Sequence, residues 1–439
     1  MTGTSVDHLM IQVLAVVAAV VLLLVLRHAP RLSVALWLAA LCLIPIWIGV
    51  GVGFNGKLFL PAVSAVGLVV IAALIPVPRF DLVWTDAFLV VLMVIGVAGL
   101  FGANSSIAFA TLITMVSYFA IGYIVGRLAS LRVSMAWLSG AIAIAFTIVG
   151  ALAVIEFVTR FNPFVLIHAG NGLYSAWGTI QIRGGVPRAE AAFGHSIALG
   201  SSLALAIPFA IAAPFRLWVR LLMVAVLLGG CVVSFSRTAM LCAAIGLLLS
   251  VFFSRELSVK ARGITLTVLA IAAVAASPLV LSVFDDAGTE ATGSADYRGD
   301  LLSLLGSMNP IGVADSAQKD SAGTLHFAHF VSIDSQLVLT GLTNGILAMV
   351  LACVALICAV WTVLRGRAVP ATIAIVAQIP ALATVALITQ YSIFLFAVVG
   401  IAATGQWLSR TARGSLALQD STITAPTGQS RPIPLKEPS

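Results

Sequence analysis

Val133 to Val158 reads VSMAWLSGAIAIAFTIVGALAVIEFV, and its only charge is Glu156, near the end. A helix needs about 20 predominantly apolar residues to cross the hydrocarbon core of a bilayer, and this stretch exceeds that. It is apolar all round rather than along one stripe, so it is not the surface helix of a water-soluble domain. Similar runs occupy 9–26, 33–50, 59–77, 82–100, 107–126, 194–213, 217–234, 237–253, 263–281, 337–364, 370–388 and 391–408. Helices are the expected element, because lipid offers no partner to an unsatisfied backbone group.

The composition points the same way. The chain has 439 residues, 61% hydrophobic and 9% charged, with a mean hydropathy of +1.14. Soluble domains carry about 25% charged residues. An ordinary soluble enzyme, a nucleic-acid binder and a disordered protein are therefore excluded. The expected fold is an all-α polytopic membrane protein with about 12–13 transmembrane helices and two longer extracytoplasmic loops. Residues 1–408 read as a single transmembrane domain. Residues 409–439, rich in Ser, Thr, Pro and Gln, read as a disordered cytoplasmic tail. The cysteines Cys42, Cys231, Cys242, Cys353 and Cys358 all fall inside apolar runs and read as small core residues. The N-terminus has neither a basic n-region nor a small-residue cleavage site, so a removed signal peptide is not expected. No internal repeat of the kind found in secondary transporters is evident.

The net charge of +7 is distributed unevenly. Counted loop by loop, 16 of the 23 Lys and Arg residues fall in the odd-numbered connections and the tail, and seven in the even-numbered ones. Basic residues collect in short cytoplasmic loops, so the odd connections are expected inside and the even ones outside. The two long connections, 159–193 and 282–336, then both face outward. Four of the six histidines (His168, His195, His326 and His329) lie in or beside them, and the second carries eight of the 16 acidic residues. Loops carried on a rigid scaffold are where binding and catalysis concentrate.

Three constellations there could carry chemistry. Arg183-Gly-Gly-Val-Pro-Arg188-Ala-Glu190-Ala-Ala-Phe-Gly-His195 runs directly into an apolar span. Arginine binds phosphate through a planar fork, and a helix N-terminus favours anions. Headgroup contacts or a local Arg188–Glu190 pair are the structural alternatives. Ser234-Phe-Ser-Arg237-Thr joins two apolar runs with almost no loop. An arginine there needs a partner or a wet cavity, unless it snorkels to the interface. The third constellation runs from Tyr297-Arg298-Gly-Asp300 through Asn309-Pro-Ile-Gly312 to His326-Phe-Ala-His329 and Ser332-Ile-Asp334-Ser-Gln336. His329 or Asp334 there could accept a proton from a hydroxyl nucleophile. At a membrane edge a carboxylate is expected to be partly desolvated, which makes it a better proton acceptor. Capping of the next helix by Ser332 or Asp334 is the alternative. His326 and His329 lack the companion ligands of a zinc site, so no metal is expected. Glu156 and Arg160, four apart, read as a pair on a helix surface.

The sequence R-A-E-x-x-F-G-H opening one span, S-R between the next two, and then Y-R, N-P-x-G and S-x-D across one large outer loop resembles the O-antigen ligase and O-antigen polymerase superfamily. The likeness in motifs covers about 183–345. It implies a glycosyltransferase of the C-type multi-helix fold in the bacterial cytoplasmic (inner) membrane. Such an enzyme moves a glycan from an undecaprenyl-diphosphate carrier to the hydroxyl of an acceptor glycan or lipid, without metal or cofactor. Arg188, Arg237 and Arg298 would hold the diphosphate, with Glu190, His195, His326 and Arg183 as further candidates in the site. Ligases of the family have His-Asn where this chain has Asp334-Ser335, which leans the resemblance toward a polymerase. A multi-pass transporter or lipid-linked glycan flippase is the alternative. That reading calls for ionisable residues in mid-span and for broken helices. Membrane lipids are expected partners in either case, and nucleic acid is not.

Overall fold

The architecture was read from a computed structural model, which describes residues 21, 23–52, 58–77, 80–183, 185–253, 257–267, 299–319, 325–330 and 332–423. Of the described residues, 74% are helical. Among the described residues, five helices are long and apolar enough to cross a membrane: Trp84–Phe101, Ser105–Arg132, Met135–Thr159, Ile346–Leu364 and Thr389–Thr411. Most of the other apolar runs form shorter helices. In chain order the helices used below are α1 (Pro30–Leu43), α2 (Ala62–Leu74), α3 (Trp84–Ala98), α4 (Ser105–Arg132), α5 (Met135–Thr159), α6 (Gly172–Trp177), α7 (Ser196–Ala212), α8 (Leu217–Val233) and α9 (Arg237–Phe253). They continue with α10 (Gln336–Asn344), α11 (Ile346–Leu364), α12 (Pro370–Ala377), α13 (Ile379–Thr384) and α14 (Thr389–Ile423).

α7 is the axis of the assembly, with α5, α8, α9, α12 and α14 packed around it. Its sequence is rich in small residues on every side (Ala198, Gly200, Ser201, Ala204, Ala206), and nearly all of the helix is buried. Small residues let membrane helices approach closely, which replaces the missing hydrophobic drive between helices in lipid. The same device joins α4 to α14. A Cβ on Gly122 or Gly126 would overlap the Ile393 or Ala397 carbonyl, and one on Gly400 would overlap that of Tyr123.

The structure departs from the expected spans at places where the backbone leaves the helical path. The 33–50 run stops at Leu43, and Gly49–Val52 pairs antiparallel with Leu58–Pro61 as a β-hairpin. The 337–364 run is broken at Gly345, whose φ of +100° ends α10 and starts α11. The 370–388 run is also broken, into α12, α13 and an extended stretch that ends at Thr389, which has a φ of +47°. The last helix continues to Ile423, past the boundary expected at 408. Residues 268–281 of the run at 263–281 and the start of the run at 9–26 lie outside the described residues.

A buried ion pair joins two of the spans. Arg127, in the last turns of α4, is buried and donates to Asp86 at 3.1 Å and to the Thr404 hydroxyl at 3.0 Å. The Asp86 carboxylate also receives the Tyr123 hydroxyl and the Val83 amide. A buried pair of this kind is held by its hydrogen bonds as much as by Coulomb attraction. Both residues sit near the ends of their helices, so the span centres stay uncharged.

Candidate functional site

The 178–195 connection is seated on the helices and does not project from them. A two-residue hairpin pairs Ile182–Arg183 with Val186–Pro187, turning at Gly185. Gln181 is the hub of the loop. Its carbonyl accepts the Arg188 amide (2.9 Å), its amide donates to Glu190 Oε1 (2.9 Å), and its side-chain oxygen accepts the Ser196 hydroxyl (3.1 Å). Arg188 Nη1 reaches the same side-chain oxygen at 3.5 Å.

Arg188 is 8% exposed, and its guanidinium lies along the α8–α9 turn. Nε donates to the Ser234 carbonyl at 2.9 Å and Nη2 to the Phe235 carbonyl at 3.4 Å. Phe235 has a φ of +50°, and the Ser236 hydroxyl caps the next helix through the Ala239 amide. Arg237, half-buried, is the first residue of that helix. The turn fits against α7 only because residue 200 is glycine, since a Cβ there would meet Ser234 Oγ and Ala239 Cβ. The first and second constellations therefore form one unit, with the Arg188 guanidinium on the α8–α9 turn and Arg237 opening α9. Helix N-termini favour negative charge.

Two buried carboxylates sit behind this unit and differ in their partners. Glu156 receives the Ala191 amide (2.7 Å), the Glu190 amide (3.2 Å) and the Asn162 side chain (2.9 Å). It braces the loop and does not pair with Arg160, which stacks on Phe157 instead; this corrects the expected helix-surface pair. Glu190 is fully buried, and its Oε2 has no hydrogen-bond partner. Burial pushes its carboxyl up to about 7; the Gln181 amide and the Arg188 charge oppose the shift, and the Glu156 charge adds to it. The His195 ring caps α7 by accepting the Ile197 amide at Nδ1 (3.1 Å), and Trp177 meets it edge-on. Burial, and then the Arg188 charge, hold its pKa down to about 4, so the ring is neutral near pH 7. Gln390 on α14 locks the loop from the far side by donating to the Ala192 and Ile44 carbonyls. Sequence reading passed over Gln181, Glu156 as a brace, and Gln390, because their partners are distant or backbone atoms.

The second loop splits into two parts. Asn309-Pro-Ile-Gly312 is a clasp. Gly312, with φ +89°, rests on Gly99, and its amide donates to the Asn344 carbonyl at 3.0 Å. The Asn309 side chain closes the turn on the Val313 carbonyl at 2.8 Å. His326 lies in a short hairpin, Ala317–Lys319 with Leu325–Phe327, and His329 is exposed with its ring 4.0 Å from that of Phe330. Phe327 and Phe330 belong to an apolar cluster with Leu304, Val313 and Ile107, apart from the core that holds Phe193.

Asp334 is exposed and accepts the Ser332 hydroxyl at 2.9 Å, so the expected desolvation is absent. Neither residue is the cap of α10, because that role belongs to Ser335, which accepts the Val338 amide. The start of α10 nevertheless meets the start of α9 at a shared point. The Gln336 amide donates to the Val385 carbonyl (3.0 Å), and Gln336 Oε1 accepts the Leu387 amide (2.8 Å). The Thr238 and Thr384 hydroxyls lie 3.5 Å apart. The unwound 385–388 stretch thus joins the Arg237 turn to the segment that carries Asp334. Arg298 and the side chain of Arg183 lie outside the described residues. Among the described residues, no three His, Cys, Asp or Glu side chains gather as a metal-ion site.

No family model matches this chain, and no curated protein matches it.

Proposed function

We propose that the chain is a membrane glycosyltransferase of the O-antigen polymerase or ligase type, moving a glycan from a polyprenyl-diphosphate carrier to an acceptor hydroxyl outside the cytoplasmic membrane. The observation that supports this reading is the union of Arg188 with the 234–237 turn. It brings two arginines to one turn, at the N-terminal end of α9. Charge that develops on a departing diphosphate is stabilised by preorganised cations and dipoles of this kind. In this reading Arg188 shapes the turn and adds its charge, and Arg237 is the direct ligand. Asp334 is a better base candidate than His329. It stands two residues from Gln336 at the shared break, whereas His329 sits on the separate cluster around Phe330.

Broken helices at Gly345 and at 385–388 lend the transporter reading its support. Against it, the buried charges lie at helix ends. Glycan output in cells that carry single substitutions separates the two readings. Lysine keeps the charge of Arg188 or Arg237 but loses the fork. Output should fall by about two orders of magnitude, the scale of a lost transition-state contact of about 2.7–4 kcal/mol, with protein levels unchanged. Asp334→Asn should likewise abolish output. Full output from Arg237→Lys would remove the diphosphate assignment.

A further inference from the structure

A long apolar cavity runs from the 385–388 break toward the opposite end of the helices. It encloses about 1190 Å³ not filled by protein atoms, including its open mouths. Leu387, Leu382 and Gln336 line one end, and Thr85, Tyr123 and Gln406 the other. Between them α11 contributes a strip of small residues, Ala352, Ala355 and Ala359, facing Phe396 and Val399 of α14. Several polar groups at the two ends already have partners. Gln336 bonds Leu387 and Thr340, Thr85 donates to Gln406, and Tyr123 donates to Asp86. The lining is otherwise almost wholly apolar, so the cavity suits a hydrocarbon chain rather than a polar ligand.

Two features identify what fills it. The spans α11 and α3, which form its sides, are only 17% and 28% buried, so it adjoins the surface that faces lipid. The length is the second. From the start of α14 to Gln406, the helical rise of about 1.5 Å per residue gives roughly 26 Å. Half of a hydrocarbon core is only about 15 Å. An ordinary acyl chain anchored at one surface would end midway, whereas a long isoprenoid chain would reach the far end.

We propose that this cavity holds the hydrocarbon tail of a long polyprenyl phosphate, threaded past the bilayer midplane with its head at the 385–388 mouth beside Thr238 and Arg237. The proposal rests on the carrier reading above and specifies where the carrier's tail lies. Its test uses the full chain in nanodiscs with three photoreactive probes, each bearing a diazirine at the end of the chain. The probes are an undecaprenyl-length polyprenyl phosphate, a farnesyl-length phosphate and a phosphatidylglycerol.

The long probe should label Thr85–Phe88 or Ala402–Gln406, and the short one should label only the mouth near Leu387. Ala355→Trp, which blocks the cavity midway, should reduce the far label to the level of an unirradiated sample. Ala355→Phe serves if the tryptophan variant does not fold. The proposal is overturned if phosphatidylglycerol labels the far end equally, if no probe labels the lining, or if the far label ignores both substitutions. Such a result alongside an intact dependence of glycan output on Arg237 would leave the carrier reading standing. Specific far-end labelling with Arg237→Lys fully active would instead remove the head site and leave the tail site.

Discussion

Glu190 and His195 stand five positions apart in one buried loop, and their titrations pull stability in opposite directions. Glu190 keeps its proton to about pH 7 in the folded chain, against 4.5 ordinarily. The folded state thus binds more protons than the unfolded one between those values, and stability is lost as pH rises through that window. His195 is held neutral down to about 4, against 6.5 ordinarily. There the unfolded state binds more protons, and stability grows as pH rises from about 4 to 6.5. In the native chain the two slopes largely offset each other. Glu190→Gln should expose the histidine slope, with a melting temperature in detergent that climbs with pH. His195→Asn should expose the opposite slope, with a melting temperature that falls from pH 4.5 to 7. Parallel pH profiles for the two variants would rule out this division of roles. The candidate residues at 188, 190 and 195 were legible in the sequence because charged side chains beside an apolar run stand out. Their bonding was not legible, since Ser234, Gln181 and Glu156 meet them only through the fold.

At the scale of elements, the α4–α14 contact joins a glycine seam to a polar lock. Gly122, Gly126 and Gly400 bring the backbones together, and Arg127 then reaches Asp86 on α3 and Thr404 on α14. Removing one partner of a buried pair leaves an uncompensated charge and costs about 3–5 kcal/mol, whereas replacing both by apolar side chains can be nearly neutral. Asp86→Leu or Arg127→Met alone should therefore lower the melting temperature markedly, and the double variant should recover most of the loss. A double variant as unstable as the two singles summed would mean that no such coupling exists. Neither residue drew notice in the sequence, because Arg127 reads as a loop cation until Asp86, 41 positions earlier, is folded against it. Apolar runs were legible throughout, since hydropathy reports what side chains prefer. The breaks were not, because Gly345 and Thr389 change the path of the backbone without changing that preference.

For the whole molecule, sidedness can be read with single cysteines in the two long connections. Ser175 and Gln318 suit the purpose, being exposed, whereas Ala317 next to Gln318 is buried against its neighbours. A membrane-impermeant thiol reagent should label both positions in intact cells, as the basic asymmetry requires. Labelling only after lysis would reverse the topology. The grip of Gln390 on the 188–195 loop also bears on how the protein comes into being. Gln390 belongs to the last helix, and the carbonyl it holds at Ala192 lies nearly 200 positions earlier. A growing chain can insert α7 and its neighbours, but the arginine loop stays unclamped until α14 arrives. A ribosome that stalls before residue 389 thus releases a membrane-embedded bundle whose arginine loop lacks this clamp. In this way the fold leaves the candidate site unfinished in incomplete products.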